Sequence, residues 1–311
     1  MIKIFTDPIL AKCKNRSELA KENPILGGPD IWFNGNLLEK IGIKSVGFDF
    51  FIDWSNNILD RNLWLKRLTL ANIDVHSLSD NEIINSLKED KFLDLVLFSR
   101  ANKFTASAII YNDNQNWSDQ SHLIHVFWPK DATNNKGLRV DKIYLKDIKQ
   151  LIKAKSGGPV KMGTKGLTYG TSRLECSLCH SDALWPGDAD LILLNNNYLP
   201  IAVLEFKKHT ASSGIPFNEQ RLGNYYPSPD GRKYDRLKHL SDQINGDVSI
   251  PLFLIYYSTI STEHRVIVEQ VIGNVGALQA IGSVFFTIDE NDINGSFEKV
   301  IQYIINNSKL A

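Results

Sequence analysis

The feature that most constrains the fold of this chain is a pair of apolar runs joined by a short polar segment. Charged residues stand just before the first run and just after the second. The runs are residues 191–194 and 199–204, within "PGDADLILLNNNYLPIAVLEFKKHT". The asparagines at 195–197 between them are typical of a tight turn. The pattern therefore predicts an antiparallel hairpin, with strands near 189–195 and 199–206, in which the start of one strand lies beside the end of the next.

Acidic residues and a lysine converge at one end of this hairpin. Side chains two positions apart on a strand share a face, so Asp188 goes with Asp190 and Glu205 goes with Lys207. Converging carboxylates repel one another unless a cation lies between them, and their hard oxygens suit Mg²⁺ or Mn²⁺. The pattern predicts a metal site, beside which a lysine orients or activates the water that attacks a phosphate.

This arrangement resembles the PD-(D/E)xK nuclease superfamily. Pro186 with Asp190 matches the first part of the motif, and Glu205–Phe206–Lys207 matches the second. Over about residues 168–258, the resemblance implies an α/β fold with a restriction-endonuclease-like mixed sheet flanked by helices. Its opening helix often carries another metal-binding glutamate, for which Glu175 is in place. The implied metal ligands are Asp190, Glu205 and Glu175, and with Lys207 they form the implied catalytic set.

Two points about the motif stay open at this level. The tripeptide alone is weak, because Glu89–Asp90–Lys91 and Asp147–Ile148–Lys149 match it as well. Only the match at 205–207 ends an apolar strand that follows an acid-led apolar strand across a turn. The superfamily pattern favours Asp190 as the primary ligand, and Asp188 is the alternative.

Basic residues beyond the motif predict contacts with a phosphate backbone. They are Lys208 and, in the helical pattern "GRKYDRLKH", Arg232, Lys233, Arg236 and Lys238. A solvated helix face is the alternative interpretation. The chain has 35 basic and 35 acidic residues, so a polyanion has to meet a local patch rather than an overall charge.

The expected function is a Mg²⁺-dependent nuclease, most simply a DNA endonuclease of restriction or defence type. DNA is favoured over RNA as the partner, and a homodimer with paired sites is compatible with cutting both strands. A repair or recombination nuclease would share these catalytic residues. The alternative from another class is a nucleic-acid binding or scaffolding protein that uses a degenerate nuclease fold without cleavage.

The irregular stretch at residues 153–172, rich in Gly and Lys, predicts a domain boundary. It would separate an N-terminal α+β recognition or regulatory domain of unknown fold, residues 1–150, from a nuclease domain, residues 165–311. Helices are expected from the Ser79–Glu82 capping box onward, within 232–244 and near the C-terminus. No internal repeat is evident in the sequence.

The cysteines and the apolar segments bear on the environment of the protein. Three cysteines in 311 residues do not predict a disulfide framework. Cys176, Cys179 and His180 have a helical spacing that permits a metal site, although a packed helix face is the simpler interpretation. No stretch is apolar enough for a signal peptide or a membrane span, so a cytoplasmic protein without membrane contact is expected.

Overall fold

The computed structural model describes residues 4–74, 77–88, 92–117, 122–128, 138–161, 166–246 and 248–308. The protein is mixed α/β, as the sequence predicts, and its chain divides into two compact units, each made of two segments. Unit 1 comprises Met1–Ala20 and Phe48–Asp188, and unit 2 comprises Lys21–Gly47 and Ala189–Ala311.

The α-helices of the described residues, numbered along the chain, are α1 (Pro29–Trp32), α2 (Gly35–Lys40), α3 (Asp80–Lys88), α4 (Phe92–Ala101), α5 (Leu145–Lys155), α6 (Arg173–Leu178), α7 (Gly231–Gln243) and α8 (Ile293–Ser308). None of them is both long enough and apolar enough to cross a membrane.

The strands are β1 (Phe5–Thr6), β2 (Ala11–Lys12), β3 (Lys44–Phe50), β4 (Ile52–Asp53), β5 (Ile58–Leu59), β6 (Asn62–Thr69), β7 (Thr105–Tyr111), β8 (His122–Trp128), β9 (Arg139–Tyr144), β10 (Tyr169–Gly170), β11 (Gly187–Leu194), β12 (Pro200–His209), β13 (Leu252–Ser258), β14 (Arg265–Asn274) and β15 (Ala277–Thr287). Two of the three unit boundaries fall within β3 and β11, and the third follows Ala20.

Unit 2 contains strands in the order β11-β12-β13-β14-β15. β11 and β12 form the predicted antiparallel hairpin, with Leu191 opposite Leu204. α7 connects β12 to β13, which runs parallel to β12, and the two remaining strands continue antiparallel. The helical connection is what a parallel pair requires, because a tight turn cannot join parallel strands.

One face of the unit 2 strands is covered by α1, α2 and α8. Apolar residues at helical spacing on α8, from Phe297 to Ile304, are fully buried against it. Trp32 of α1 stacks on Phe297 at 4.5 Å between ring centroids and meets Tyr257 edge-on at 4.9 Å. Leu204 of β12 lies in this core. Since side chains alternate along a strand, Glu205 and Lys207 lie on the opposite face.

Unit 1 contains strands in the order β3-β6-β7-β8-β9. β3 and β6 are antiparallel, β6 and β7 are parallel, and β8 and β9 follow antiparallel. α3 and α4 make the connection to the parallel strand, and α5 follows β9. The aromatic side chains of Phe51, Trp64 and Trp185 contribute to its core.

The two units therefore share one topology, which the sequence does not reveal. Each has an antiparallel pair, a helical connection to a parallel strand, two further antiparallel strands and a closing helix. In unit 1, Asp49 lies opposite Trp64. In unit 2, Asp190 precedes Leu191 and Glu205 follows its partner Leu204. The repeat is one of strand order and register rather than of residue identity.

The units follow other limits than the predicted domains at 1–150 and 165–311. Residues 21–47 belong to unit 2, because the apolar side chains of α1 and α2 pack in its core. Residues 165–188 belong to unit 1, where Leu174 and Leu178 of α6 are buried. α5 extends into the irregular stretch as far as Lys155, and residues 162–165 of that stretch lie outside the described residues.

A disulfide joins Cys13 to Cys176, contrary to the expectation from cysteine number. β2 pairs antiparallel with β10, which brings the segment after Lys12 next to the start of α6. The two cysteines are 163 positions apart, so only the fold brings them together. Cys179 is a buried free thiol.

Candidate active site

Glu205 is the most buried acid of the motif, with a relative exposure of 0%. It ends the apolar part of β12 and faces the first turn of α7. Its Oε1 lies 2.7 Å from Nζ of Lys233 on that helix. A carboxylate removed from water needs a cation nearby, so Lys233 balances its charge. The sequence pattern predicts a phosphate contact for Lys233, whereas the structure pairs it with Glu205.

Lys207 meets α7 in the same way, two positions further along β12. Its Nζ donates to Oδ2 of Asp230 at 2.6 Å, immediately before the helix begins. The ammonium also lies 4.3 Å from the ring centroid of Tyr225 and 5.5 Å from that of Tyr234. Lys207 is thus held by one carboxylate and two aromatic faces, with its side chain only 15% exposed.

Asp190 lies at the same end of the hairpin. Its Oδ2 accepts a hydrogen bond from the backbone N–H of Phe206 at 2.8 Å, so the carboxylate sits beside the peptide that links Glu205 to Lys207. Asp188 falls in unit 1, where its charge raises the pKa values of Asp49 and Lys66. These placements favour Asp190 as the acid that accompanies Glu205.

Tyr234 completes this group. Burial raises the pKa of its hydroxyl far above the usual value, and the charge of Glu205 raises it further, so the group keeps its proton at neutral pH. Within the part of the chain that the structure describes, the buried hydroxyl oxygen has no hydrogen-bond partner. A buried hydroxyl beside Glu205 and Lys207 is therefore available to a ligand or a water molecule.

Sequence reasoning missed Asp230 and Tyr234, and it gave Lys233 another role. All three lie 23 or more positions beyond Lys207 in the chain. The apolar spacing of α7 correctly predicts a helix, but the same spacing makes Tyr234 look like an ordinary core residue. One signal could have pointed to these residues. α7 connects β12 to the parallel strand β13, so its first turn follows the end of β12 that carries Glu205 and Lys207.

Glu175 does not join these residues within unit 2. It lies on α6 in unit 1, where its Oε2 accepts hydrogen bonds from the backbone N–H and the hydroxyl of Thr171, both at 2.7 Å. Nζ of Lys66 lies 3.4 Å from the same oxygen. Ser172 caps the helix by accepting from the backbone N–H of Glu175.

The predicted phosphate-contacting residues are mostly engaged in ion pairs. Lys208 pairs with Glu22 and lies 5.9 Å from the ring centroid of Tyr257, on the face opposite to Lys207. Lys238 pairs with Asp242 one helical turn later. Arg232 lies on the exposed side of α7, and Arg236 is half-buried.

The described residues contain no group of three or more acidic, histidine or cysteine side chains arranged to hold a metal ion. Cys176 is also committed to the disulfide. Two carboxylates are nevertheless what a Mg²⁺ site commonly takes from a protein, because the ion keeps several waters and binds substrate phosphates directly. Asp190 and Glu205 supply that number of carboxylates at the same end of the hairpin, and the buried hydroxyl of Tyr234 lies near Glu205.

Comparison of the chain with protein-family models, with curated proteins and with solved structures found no match.

Proposed function

We propose that the protein is a Mg²⁺-dependent nuclease of the PD-(D/E)xK type, with a restriction-endonuclease-like unit 2 that hydrolyses phosphodiester bonds in DNA. The observation that carries the proposal is the fully buried Glu205 at the end of β12, with Lys207 two positions on and Asp190 on the neighbouring strand. Burying a carboxylate in this way rarely benefits stability, and such groups concentrate at functional sites.

Asp190 and Glu205 would hold the ion. When bound, Mg²⁺ supplies positive charge to the phosphate and lowers the pKa of a coordinated water. Lys233 neutralises Glu205 in the absence of the ion. Lys207 donates from Nζ to the attacking water or to a phosphate oxygen, after exchanging Asp230 for the substrate. Tyr234 donates from its protonated hydroxyl to the same water or phosphate oxygen as Lys207.

A cleavage assay tests this proposal. Supercoiled plasmid, linear duplex, single-stranded DNA and RNA are incubated with the protein in Mg²⁺, in Mn²⁺ and in EDTA. The expected result is cleavage of DNA with either metal and none in EDTA. Glu205→Gln and Asp190→Asn should each reduce the rate at least about 10³-fold, since each removes a ligand of the ion that stabilises the transition state.

Glu39→Gln is the matched control, because Glu39 is an exposed acid on α2 of the same unit. It should cleave at the wild-type rate. Wild-type cleavage by Glu205→Gln would show that the site is assigned to the wrong residues.

A second candidate is a protein that binds nucleic acid without cutting it. The pairing of Glu205 with Lys233 favours this candidate, because the carboxylate already has a cation. Folded protein that binds DNA equally in Mg²⁺ and EDTA, and cuts none of the substrates, would support it against the nuclease.

A further inference from the structure

Unit 1 has the strand topology of unit 2 but has no acid at the position that corresponds to Glu205. Trp64 lies opposite Asp49, at the position that corresponds to Glu205, and Lys66 follows two positions later as Lys207 does. Trp64 is fully buried, with its ring 4.6 Å from Phe51 and 5.8 Å from Trp185 between centroids. An indole cannot replace a carboxylate as a ligand for a hard cation.

The charged residues next to Trp64, which are Lys66 and Asp49, both have partners within unit 1. Lys66 is 8% exposed and pairs with Glu175. Burial lowers its pKa, but the charges of Glu175, Asp49 and Asp188 outweigh this and leave the pKa raised. Nε1 of Trp185 donates to Asp49 at 2.9 Å. Lys66 is thus a buried structural cation that a phosphate group cannot reach.

A different feature of unit 1 is open to a ligand. A cavity of about 470 Å³ is lined by Lys14, Arg16 and Arg173, by the ring of Trp117 and by amide side chains that include Asn15 and Gln115. No acidic side chain belongs to its described lining. The volume falls in the range of ligand sites and suits a nucleotide.

The cationic wall of this cavity is held in place. The guanidinium of Arg16 donates to the carbonyls of Ala11, Ile9 and Gly170 at 3.0, 2.9 and 2.5 Å. The disulfide ties Cys13, the neighbour of Lys14, to α6, on which Arg173 lies. The Arg16 side chain and the backbone that carries Lys14 and Arg173 therefore do not have to be ordered at the moment of binding, which lowers the entropic cost.

Two more side chains define the chemistry of the wall. Asp113 lies beside it, 3.9 Å from Arg16, and accepts from the backbone N–H of Arg173 at 2.6 Å. Nε1 of Trp117 is buried and has no hydrogen-bond partner within the described residues. A cationic wall beside an aromatic ring is the combination that binds phosphate and stacks a base.

We propose that this cavity, defined by Lys14, Arg16, Trp117 and Arg173, binds a phosphate-bearing nucleotide of a nucleic-acid strand, and that unit 1 is a non-cleaving binding copy of unit 2. The choice of nucleic acid as the ligand rests on the function proposed for unit 2, whereas the choice of a phosphate group follows from the cavity itself.

Binding is measured in EDTA, so that no cleavage occurs, by fluorescence anisotropy of a labelled single strand and a labelled duplex. Lys14→Gln combined with Arg173→Gln should raise Kd about tenfold or more. The slope of log Kd against log salt concentration should fall by about 1.5 to 2, since two phosphate contacts are lost. Both residues are exposed, so the variant should fold.

Lys103→Gln combined with Lys146→Gln is the control, because it removes two exposed charges of unit 1 away from the cavity. It should leave Kd close to the wild-type value. Equal weakening by both double variants would overturn the proposal and indicate attraction to the general charge. An unchanged Kd in the cavity variant would overturn it as well.

Competitors separate the sources of phosphate. A nucleoside monophosphate should displace the labelled strand from the wild-type protein at lower concentration than inorganic phosphate does, because only the nucleotide offers a base to Trp117. If inorganic phosphate competes equally well, the nucleotide part of the proposal fails. The variant Glu205→Gln separates the two proposals. It should lose cleavage, as the function proposed for unit 2 requires, and keep the wild-type Kd in EDTA, because the cavity of unit 1 is unchanged.

Discussion

At the scale of single residues, unit 2 keeps opposite charges in close pairs where β12 meets α7. Glu205 with Lys233 and Lys207 with Asp230 form two ion pairs, at 2.7 and 2.6 Å. Each cation has a partner before any substrate arrives. A phosphate or a metal ion that bound here would have to compete with an existing partner, and the strength of that competition can be measured by removing one partner at a time.

Asp230→Asn tests the competition for Lys207. The amide keeps the shape of the side chain but removes its charge, so Lys207 becomes available to substrate without breaking an ion pair. We expect kcat/KM for DNA cleavage to rise about two- to fivefold, because partly exposed ion pairs contribute up to about 1 kcal/mol. A loss as complete as that of Glu205→Gln would instead make Asp230 a member of the catalytic carboxylate set.

Asp49 gives unit 1 a pH-dependent stability. Burial raises its pKa to about 7 from an ordinary value of 3.8, although Lys66 and Trp185 act in the opposite direction. The folded protein thus holds the proton more tightly than the unfolded chain. The contribution of Asp49 to stability therefore falls as pH rises from about 4 to about 7, and it is constant above that.

Asp49→Asn removes this dependence. Between pH 4 and pH 8, the free energy of unfolding of the wild type should fall relative to that of the variant by up to about 4 kcal/mol. Urea denaturation of both proteins across this range measures the difference. Burial lowers the pKa of His125 to about 4, but this group is present in both proteins and cancels. A constant difference would mean that Lys66 keeps Asp49 ionised throughout.

At the scale of elements, local patterns predicted most helices and strands of unit 2. The hairpin, α7 and α8 were visible as apolar runs or helical spacing, and in unit 1 the capping box at Ser79–Glu82 starts α3 as predicted. β6 and β7 were not predicted. Their sequences lack a clear alternation, because β6 is buried along its whole length and β7 along nearly all of it.

The contact between α7 and β12 could not be predicted, since helical spacing does not specify which strand a helix faces. It is nevertheless testable through Lys233→Met. Removing this cation leaves Glu205 buried without it, which should destabilise the protein by about 3–5 kcal/mol in chemical denaturation. Adding Glu205→Gln to the same chain should recover much of the loss.

The same variant reports on the metal. If Asp190 and Glu205 bind Mg²⁺, the ion should raise the Tm of Lys233→Met more than that of the wild type, because it no longer competes with an ammonium. Equal shifts in both proteins, or none in either, would argue against an ion at Glu205.

At the scale of the whole molecule, two features lay beyond sequence reasoning because each depends on residues far apart in the chain. One is the shared topology of the units, in which strand order is kept while Glu205 corresponds to Trp64. The other is the disulfide between Cys13 and Cys176. Glu175, which the family resemblance implies as a further ligand, lies in unit 1, whereas Asp190 and Glu205 lie in unit 2.

The disulfide should stabilise the protein chiefly by restricting the unfolded chain. For a loop that spans 163 positions, the chain-entropy estimate is about 5 kcal/mol at most. Dithiothreitol should therefore lower the Tm of the wild type, and Cys13→Ser should have a low Tm that dithiothreitol does not change. A wild-type Tm that is insensitive to reductant would contradict a contribution of this size.

The central claim is that Lys207 acts in phosphodiester hydrolysis beside Asp190 and Glu205, and single-turnover cleavage by Lys207→Met and Lys208→Met tests it most directly. The two lysines are neighbours, but Lys207 pairs with Asp230 and Lys208 pairs with Glu22 on the other face. With Mg²⁺, Lys207→Met should lose about 10²–10³-fold in rate while still binding DNA in EDTA, and Lys208→Met should stay within about tenfold of the wild type. Equal rates for the two variants would contradict the claim.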